Sequence, residues 1–380
     1  MAAALLLSSI LLDPSSLRAQ GSLTPTSGPA PMFKTLGQIQ PRTPVGSAAT
    51  PGNPNNLYII SQPGSYYLTA NILLLSNAVN GIEITANDVT LDLEGFALEG
   101  GLIGQSGIFI PNAQTNITVY NGELSDWQTA GLNSMSSNSA NVVLEGLNVS
   151  ANGNGILLSG PGVTRHCNLQ NNMGEGLVWS GGVVSGCTAF NNTGDGIFNS
   201  SGIGGTVTGC TSDGNGADGI FASDCSVTDC TAKSNGADGI DNWGGTATGC
   251  ASLSNLVNGI TVVSGLVSGC VVEGNVAGGI AVNGNGSLLI GNACIANNAP
   301  SNTFGGGIFV NGSNNRLENN HVTASGHAGI NITTGFTINI VVKNSVIGNG
   351  ANNFIVPANN DVGPIGAAAT STSPWANISH

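Results

Sequence analysis

The sequence predicts an all-β chain: a single-stranded right-handed parallel β-helix of about 12 coils, each of 20–28 residues with three short strands. Three observations lead there. A Gly followed by Ile or Leu recurs at Gly81, Gly107, Gly131, Gly155, Gly176, Gly196, Gly219, Gly239, Gly259, Gly279, Gly307 and Gly329, in steps of 20 to 28 residues. In the middle of the array Cys167, Cys187, Cys210, Cys230, Cys250 and Cys270 each stand nine residues before one of these glycines, and five residues after each Cys stands an Asn. Between them run short β-branched segments bounded by turn residues, which is strand patterning. A helical repeat of this length would need two amphipathic segments, and Gly and Asn every few residues rule them out.

Stacking such coils at the usual strand spacing of about 4.8 Å piles Ile197, Ile220, Ile240, Ile260 and Ile280 into one inward column. Asn and Gly are expected at the corners, where a sharp bend asks for the left-handed conformation. Right-handed coiling follows from the bias of parallel β crossovers. The in-phase cysteines read as a column of buried thiols, because their Cβ atoms would lie farther apart than a disulfide allows. Cys225, five residues before Cys230, is out of phase and is the cysteine to test for a bridge.

Composition fits this reading. The 380 residues carry 58 Gly but are 40% hydrophobic, so the glycine marks turns and not disorder. Only 7% are charged, and the formal net charge is −13. Nucleic acid is excluded as a partner, because backbone-phosphate binding needs clustered Lys and Arg. Leu5 to Leu12 and the small residue Ala19 suggest an export signal over residues 1–19, placing the protein in a secreted, periplasmic or cell-surface setting. No other apolar run approaches the ~20 residues of a membrane span. Residues 20–56 form a Pro/Ser/Thr-rich lead-in with an N-terminal cap around Phe33 to Ile39, residues 57–362 the solenoid, and residues 363–380 a tail that caps the last coil.

The segments "GSYYLTANI" (64–72) and "GIEITANDVTLDLEGFALEG" (81–100), with the coils "VTGCTSDGNGADGI" (207–220) and "VTDCTAKSNGADGI" (227–240), resemble the pectin-lyase-like superfamily. The resemblance covers residues 57 to 350 and implies fold more than activity, since that group holds lyases, glycosidases, epimerases, esterases and non-catalytic surface proteins. Its polygalacturonase motifs do not carry over: Asn-Thr-Asp, Asp-Asp and Arg-x-Lys are absent, and Gly326-His327-Ala328-Gly329 only approximates the Gly-His-Gly. The epimerase Asp-Pro-His-Asp is absent too. Arg165, Lys233, Arg316 and Lys343 fall in different coils and at different phases, which leaves no lyase-type base beside clustered carboxylates.

Two constellations remain. Glu175, Asp195, Asp218 and Asp238 each precede a phase glycine and should stack along one corner. Their spacing brackets the carboxylate separations of both retaining and inverting glycosidases, as any stacked acid ladder would. Like charges so close raise a carboxyl pKa or recruit a cation such as Ca²⁺; Asp before Gly is also ordinary turn chemistry. Beside them Val178, Phe198, Phe221, Asp241, Thr261 and Ala281 should point outward. Phe198, Phe221 and Asp241, flanked by Glu175, suit a neutral sugar, with aromatic faces beside hydroxyl-binding acids; an aromatic stack that only stabilises the sheet has the same pattern. Trp179 and Trp243 lie close by in sequence, though Trp179 shares the core parity. Asp92 and Glu94 alternate outward as a further acid pair, and the four His are scattered, with no zinc spacing anywhere.

Two functional readings therefore stand. In one, a secreted or surface β-helix binds a polysaccharide or surface glycan without catalysis, through Phe198, Phe221, Asp241 and Glu175. In the other, a divergent polysaccharide hydrolase or lyase works through Asp195, Asp218 and Asp238. The phase assignment is tested by Ile240→Asp, which puts an unpaired charge into the stacked core; the variant should be severely destabilised in thermal melting.

Overall fold

The structure, a computed structural model, describes residues 41–74, 78–134, 139–199, 202–298, 305–350 and 352–379. The export segment, the expected cap around Phe33 to Ile39 and His380 lie outside these.

Most coils contribute one strand to a 15-stranded sheet and two to a 28-stranded sheet that bends around the other sides of the core, while Thr115–Ser125 and Ala140–Ser150 each run through the second corner as one long strand. One coil shows the pattern: Ile220–Ser223 in the first sheet, then Ser226–Thr228 and Thr231–Lys233 in the second. The next coil repeats it in register as Ile240–Trp243, Thr246–Thr248 and Ala251–Leu253, pairing Ile220 with Ile240, Val227 with Ala247 and Ala232 with Ser252. The strands at the twelve phase glycines are flanked by one more at each end, Asn56–Ile60 and Asn352–Ile355. The predicted inward column is fully buried, from Ile197 through Ile280, and continues to Ile308 and Ile330.

The corners differ from expectation in one respect. The left-handed residue is not the phase Asn but the residue before it: Asn191, Gly214, Ser234, Ser254 and Gly274 have φ between 52° and 68°. Likewise Gly209, Asp229, Gly249 and Gly269 turn the chain just before Cys210, Cys230, Cys250 and Cys270. This one left-handed residue swings the following side chain inward. The Asn side chains therefore lie inside the solenoid and bond along its axis. Asn172 Nδ2 donates to Asn192 Oδ1 (2.8 Å), and the chain continues through Asn215, Asn235, Asn255, Asn275 and Asn297 at 2.8–3.0 Å. Each Oδ1 also accepts a backbone N–H, as Asn235 Oδ1 does from Asn215 (3.1 Å). The phase glycine is required by this ladder: a Cβ on Gly219 would stand 2.5 Å from the Gly239 carbonyl oxygen and 2.6 Å from Asn235 Nδ2.

The six in-phase cysteines line the other corner as free buried thiols, each donating to the carbonyl two residues earlier (Cys230 to Thr228, 3.3 Å). Cys225 is also free, and bonds to the Ser223 carbonyl at 3.1 Å; no bridge involves it. After Cys270 the column changes chemistry. The Cys270 N–H donates to Asn292 Oδ1 (3.0 Å), and Asn292, Asn320, Asn344 and Asn377 form a second amide ladder.

At the C-terminus the tail enters the sheet. Asp361–Val362 pairs in parallel with Ile340–Val342, and Asn377–Ser379 with Ser345–Ile347. Asn235→Ala would strand the Asn215 N–H in a dry interior and take one of the two donors from the Ser212 carbonyl. It should cost about 3 kcal/mol. Cys250→Ala, losing only a small apolar group, should cost about 1 kcal/mol. Urea unfolding midpoints of the two variants would read the difference.

Candidate ligand-binding face

The acidic column forms, and its geometry gives each carboxylate a structural duty. The Asp218 N–H donates to Asp195 Oδ1 (2.7 Å), the Asp238 N–H to Asp218 Oδ1 (2.8 Å), and the Asn258 N–H to Asp238 Oδ1 (2.7 Å). Two coils earlier the Glu175 N–H donates to Asn154 Oδ1 (3.0 Å). Thus Asn and Asp serve the same position, and what the fold needs there is the acceptor oxygen, not the charge. Asn154 and Asn258, each preceding a phase glycine, carried that signal in the sequence.

The charge has consequences all the same. Burial, with the neighbouring Asp195, Asp238 and Asp241 charges, pushes the Asp218 carboxyl up to about 7 despite the hydrogen bond it accepts. Burial first, then the Asp238 charge, pushes Asp241 up to about 6. Asp195 and Asp238 are also raised by burial, Asp195 further by Glu175. Asp238 is steadied by Thr261, whose hydroxyl donates to Oδ2 at 2.5 Å.

The outward strip beside the acids is shorter than expected. Phe198, Phe221 and Asp241 are partly exposed, but Val178, Thr261 and Ala281 at the same parity are buried. Between those limits the rings stack up the solenoid: Phe198 to Phe221 at 5.1 Å between centroids, and Phe221 to Trp243 at 5.9 Å. Trp243, which the sequence places near this strip without assigning it to it, is the third ring. It stands two positions after Asp241 on the same face, its indole N–H donates to Asp241 Oδ1 (2.8 Å), and half its surface is exposed. Trp179, by contrast, is buried in the core. Glu175 lies at the lower end of the acid column, next to Asp195 and one coil below the ring stack.

Elsewhere several acids are tied down by ion pairs. Asp92, expected to face out, is buried beneath Arg42, which pairs with both Asp92 (3.1 Å) and Glu94 (2.6 Å) and lies over the Tyr67 ring. The cations are less scattered than their sequence phases imply: Arg316 and Lys343 both pair with Glu318, at 2.7 and 2.8 Å. Lys343 follows Val342, which pairs with Glu318 across adjacent coils, and so reaches back to it. Among the described residues, no group of three or more His, Cys, Asp or Glu could hold a metal ion, and no helix is long and apolar enough to cross a membrane.

The raised carboxyls carry a defined pH signature. Their folded pKa values exceed the unfolded ones, so their favourable contribution is present below the ordinary carboxylate range and is lost as pH rises through about 6 and 7. Asp218→Asn keeps the acceptor oxygen and removes the buried charge. It should melt higher than the parent at pH 7.5 and equal to it at pH 4, by calorimetry.

Residues 106–257 match the family model described as "Right handed beta helix region". No curated protein matches the chain in sequence. Among solved structures, the A-module of the mannuronan C-5 epimerase AlgE4 of Azotobacter vinelandii is similar over 80% of this chain and 91% of that one, at 13% identity and a TM-score of 0.46. The Dettilon tailspike protein is similar over 73% of this chain and 60% of that one, at 12% identity and a TM-score of 0.48. The catalytic unit of an α-1,3-glucanase from Streptomyces thermodiastaticus is similar over 78% and 62%, at 13% identity and a TM-score of 0.33. With its coils stacked in parallel on both sides of the matched segment, the chain is a right-handed parallel β-helix protein.

Proposed function

We propose that this is an exported β-helix that binds a neutral glycan, without catalysis, along the strip Phe198–Phe221–Trp243. The observation that carries the reading is the ring stack itself: one partly exposed aromatic on each of three successive coils, bordered by Asp241. Aromatic faces shed water against the apolar faces of sugar rings, and the flanking carboxylates accept their hydroxyls. Asp195, Asp218 and Asp238 each already hold a backbone N–H, so their Oδ1 atoms are committed to the fold. The sparse cations, 7 Lys and Arg against 20 acids, disfavour a polyanionic ligand. The apolar run Leu5 to Leu12 supports export.

One observation favours a catalytic reading as the alternative. A carboxyl at about 7 is suited to donate a proton at neutral pH, and Asp218 with Asp195 or Asp238 would then supply the acid and the second carboxylate of a glycoside hydrolase.

Two measurements separate the readings. Binding to a panel of neutral polysaccharides, read by calorimetry, should weaken tenfold or more in Phe221→Ala and Trp243→Ala, with no new reducing ends released by the parent. Release of reducing ends that Asp218→Asn abolishes would replace binding by hydrolysis.

A further inference from the structure

A second surface stands apart from the ring stack, on the outer face of the other sheet. In a middle coil two residues turn the corner between the second and third strands, as Gly249 and Cys250 do between Thr246–Thr248 and Ala251–Leu253. In the last coil the same corner is stretched to residues 363–376, between Asp361–Val362 and Asn377–Ser379. Both feet of this excursion are fixed. The Gly363 N–H donates to the Val341 carbonyl (3.0 Å), and Asn377 closes the amide ladder while donating to the Gly363 carbonyl (3.1 Å). Ile365–Gly366 also pairs with Asn377–Ser379. The excursion is therefore built onto the solenoid.

Beneath it lies a cleft of about 410 Å³ lined by Arg316, Val342, Asp361, Pro364, Ser373 and Trp375. That is the size range of small-ligand sites. Its polar groups are held in place. Arg316 is tied by Nε and Nη2 to Glu318, and Lys343 bonds the same carboxylate and sits 4.5 Å from the centroid of the Trp375 ring. The pair of cations holds the Glu318 carboxyl below its usual range. Trp375 is nonetheless half exposed, whereas Trp127 and Trp179 are fully buried. The charges around the cleft cancel, Arg316 and Lys343 against Glu318 and Asp361, so the site offers donors and acceptors without a net field. An indole, an apolar floor and balanced polar groups fit a neutral, hydroxyl-rich ligand.

We propose that this cleft is a second saccharide site, taking one or two neutral sugar units and independent of the ring stack. The proposal does not rest on the reading of that stack. The two exposed indoles make the test separable, because Trp243 reports on one surface and Trp375 on the other. Trp243→Phe protein, full length and shown to be folded by circular dichroism, would be titrated with cellobiose, maltose, mannobiose and lactose while its fluorescence is followed. At least one disaccharide should give a saturable change. Its apparent Kd should rise tenfold or more in Arg316→Gln and in Asp361→Asn, and stay unchanged in Phe221→Ala. No saturable change with any of the four would overturn the proposal. So would a change that survives both cleft substitutions, or one that Phe221→Ala removes.

Discussion

Each turn of a solenoid must bring the chain back one strand spacing from where it began, with every buried polar group satisfied by the coil above or below. Here that constraint is met by the amides of Asn172 to Asn275, each donating its side-chain N–H to the next Asn, the last to Asn297, while its oxygen receives hydrogen bonds from the coil before. The ladder fixes the axial register, and the rest follows from it. The preceding residue must be left-handed to aim the side chain inward, and the phase glycine must lack a Cβ to let the next carbonyl approach. Cysteine fills the opposite corner until Cys270, where a second amide ladder takes over. An apolar thiol and a fully bonded amide answer the same packing demand, one by having little to satisfy and the other by satisfying everything.

The same repetition that builds the scaffold builds its surfaces. Any side chain placed outward at one phase acquires neighbours at the strand spacing, so the stack of Phe198, Phe221 and Trp243 needed only an aromatic on each of three adjacent coils. The acidic column arose in the same way, and the two properties conflict. Asp195, Asp218 and Asp238 hold backbone N–H groups as Asn would, yet they crowd partly buried negative charge along one edge. The fold tolerates the carboxylates as acceptors while raising the free energy of their ionised forms. An edge with carboxyls near neutrality beside exposed rings is chemically distinct from the Thr-rich faces of the other sheet.

Where repetition breaks, the surface changes character. The last coil replaces a two-residue corner with residues 363–376, and this excursion brings Trp375 and Pro364 over Arg316 and Val342. The N-terminal end breaks the pattern differently, with Arg42 pairing with both Asp92 and Glu94. Both are places where one segment is folded against coils far from it in sequence, and neither follows from the period.

The periodic content of the molecule was legible in the sequence because each coil sees almost the same surroundings, so one phase assignment applies to every repeat. The Ile column, the free thiols, the three strands per coil and the outward placing of Phe198 and Phe221 all followed from it. Period alone could not say which of two adjacent residues turns a corner and which turns inward, since both tolerate the bend; only the hydrogen bonds of Asn235 and its column decide that. Nor could it give the extent of the exposed strip, because Val178 and Ala281 share the parity of Phe198 but are covered. The convergence of Arg316 and Lys343 on Glu318 was likewise hidden. Their sequence phases differ, and long side chains bridge coils in a way that only the folded geometry specifies.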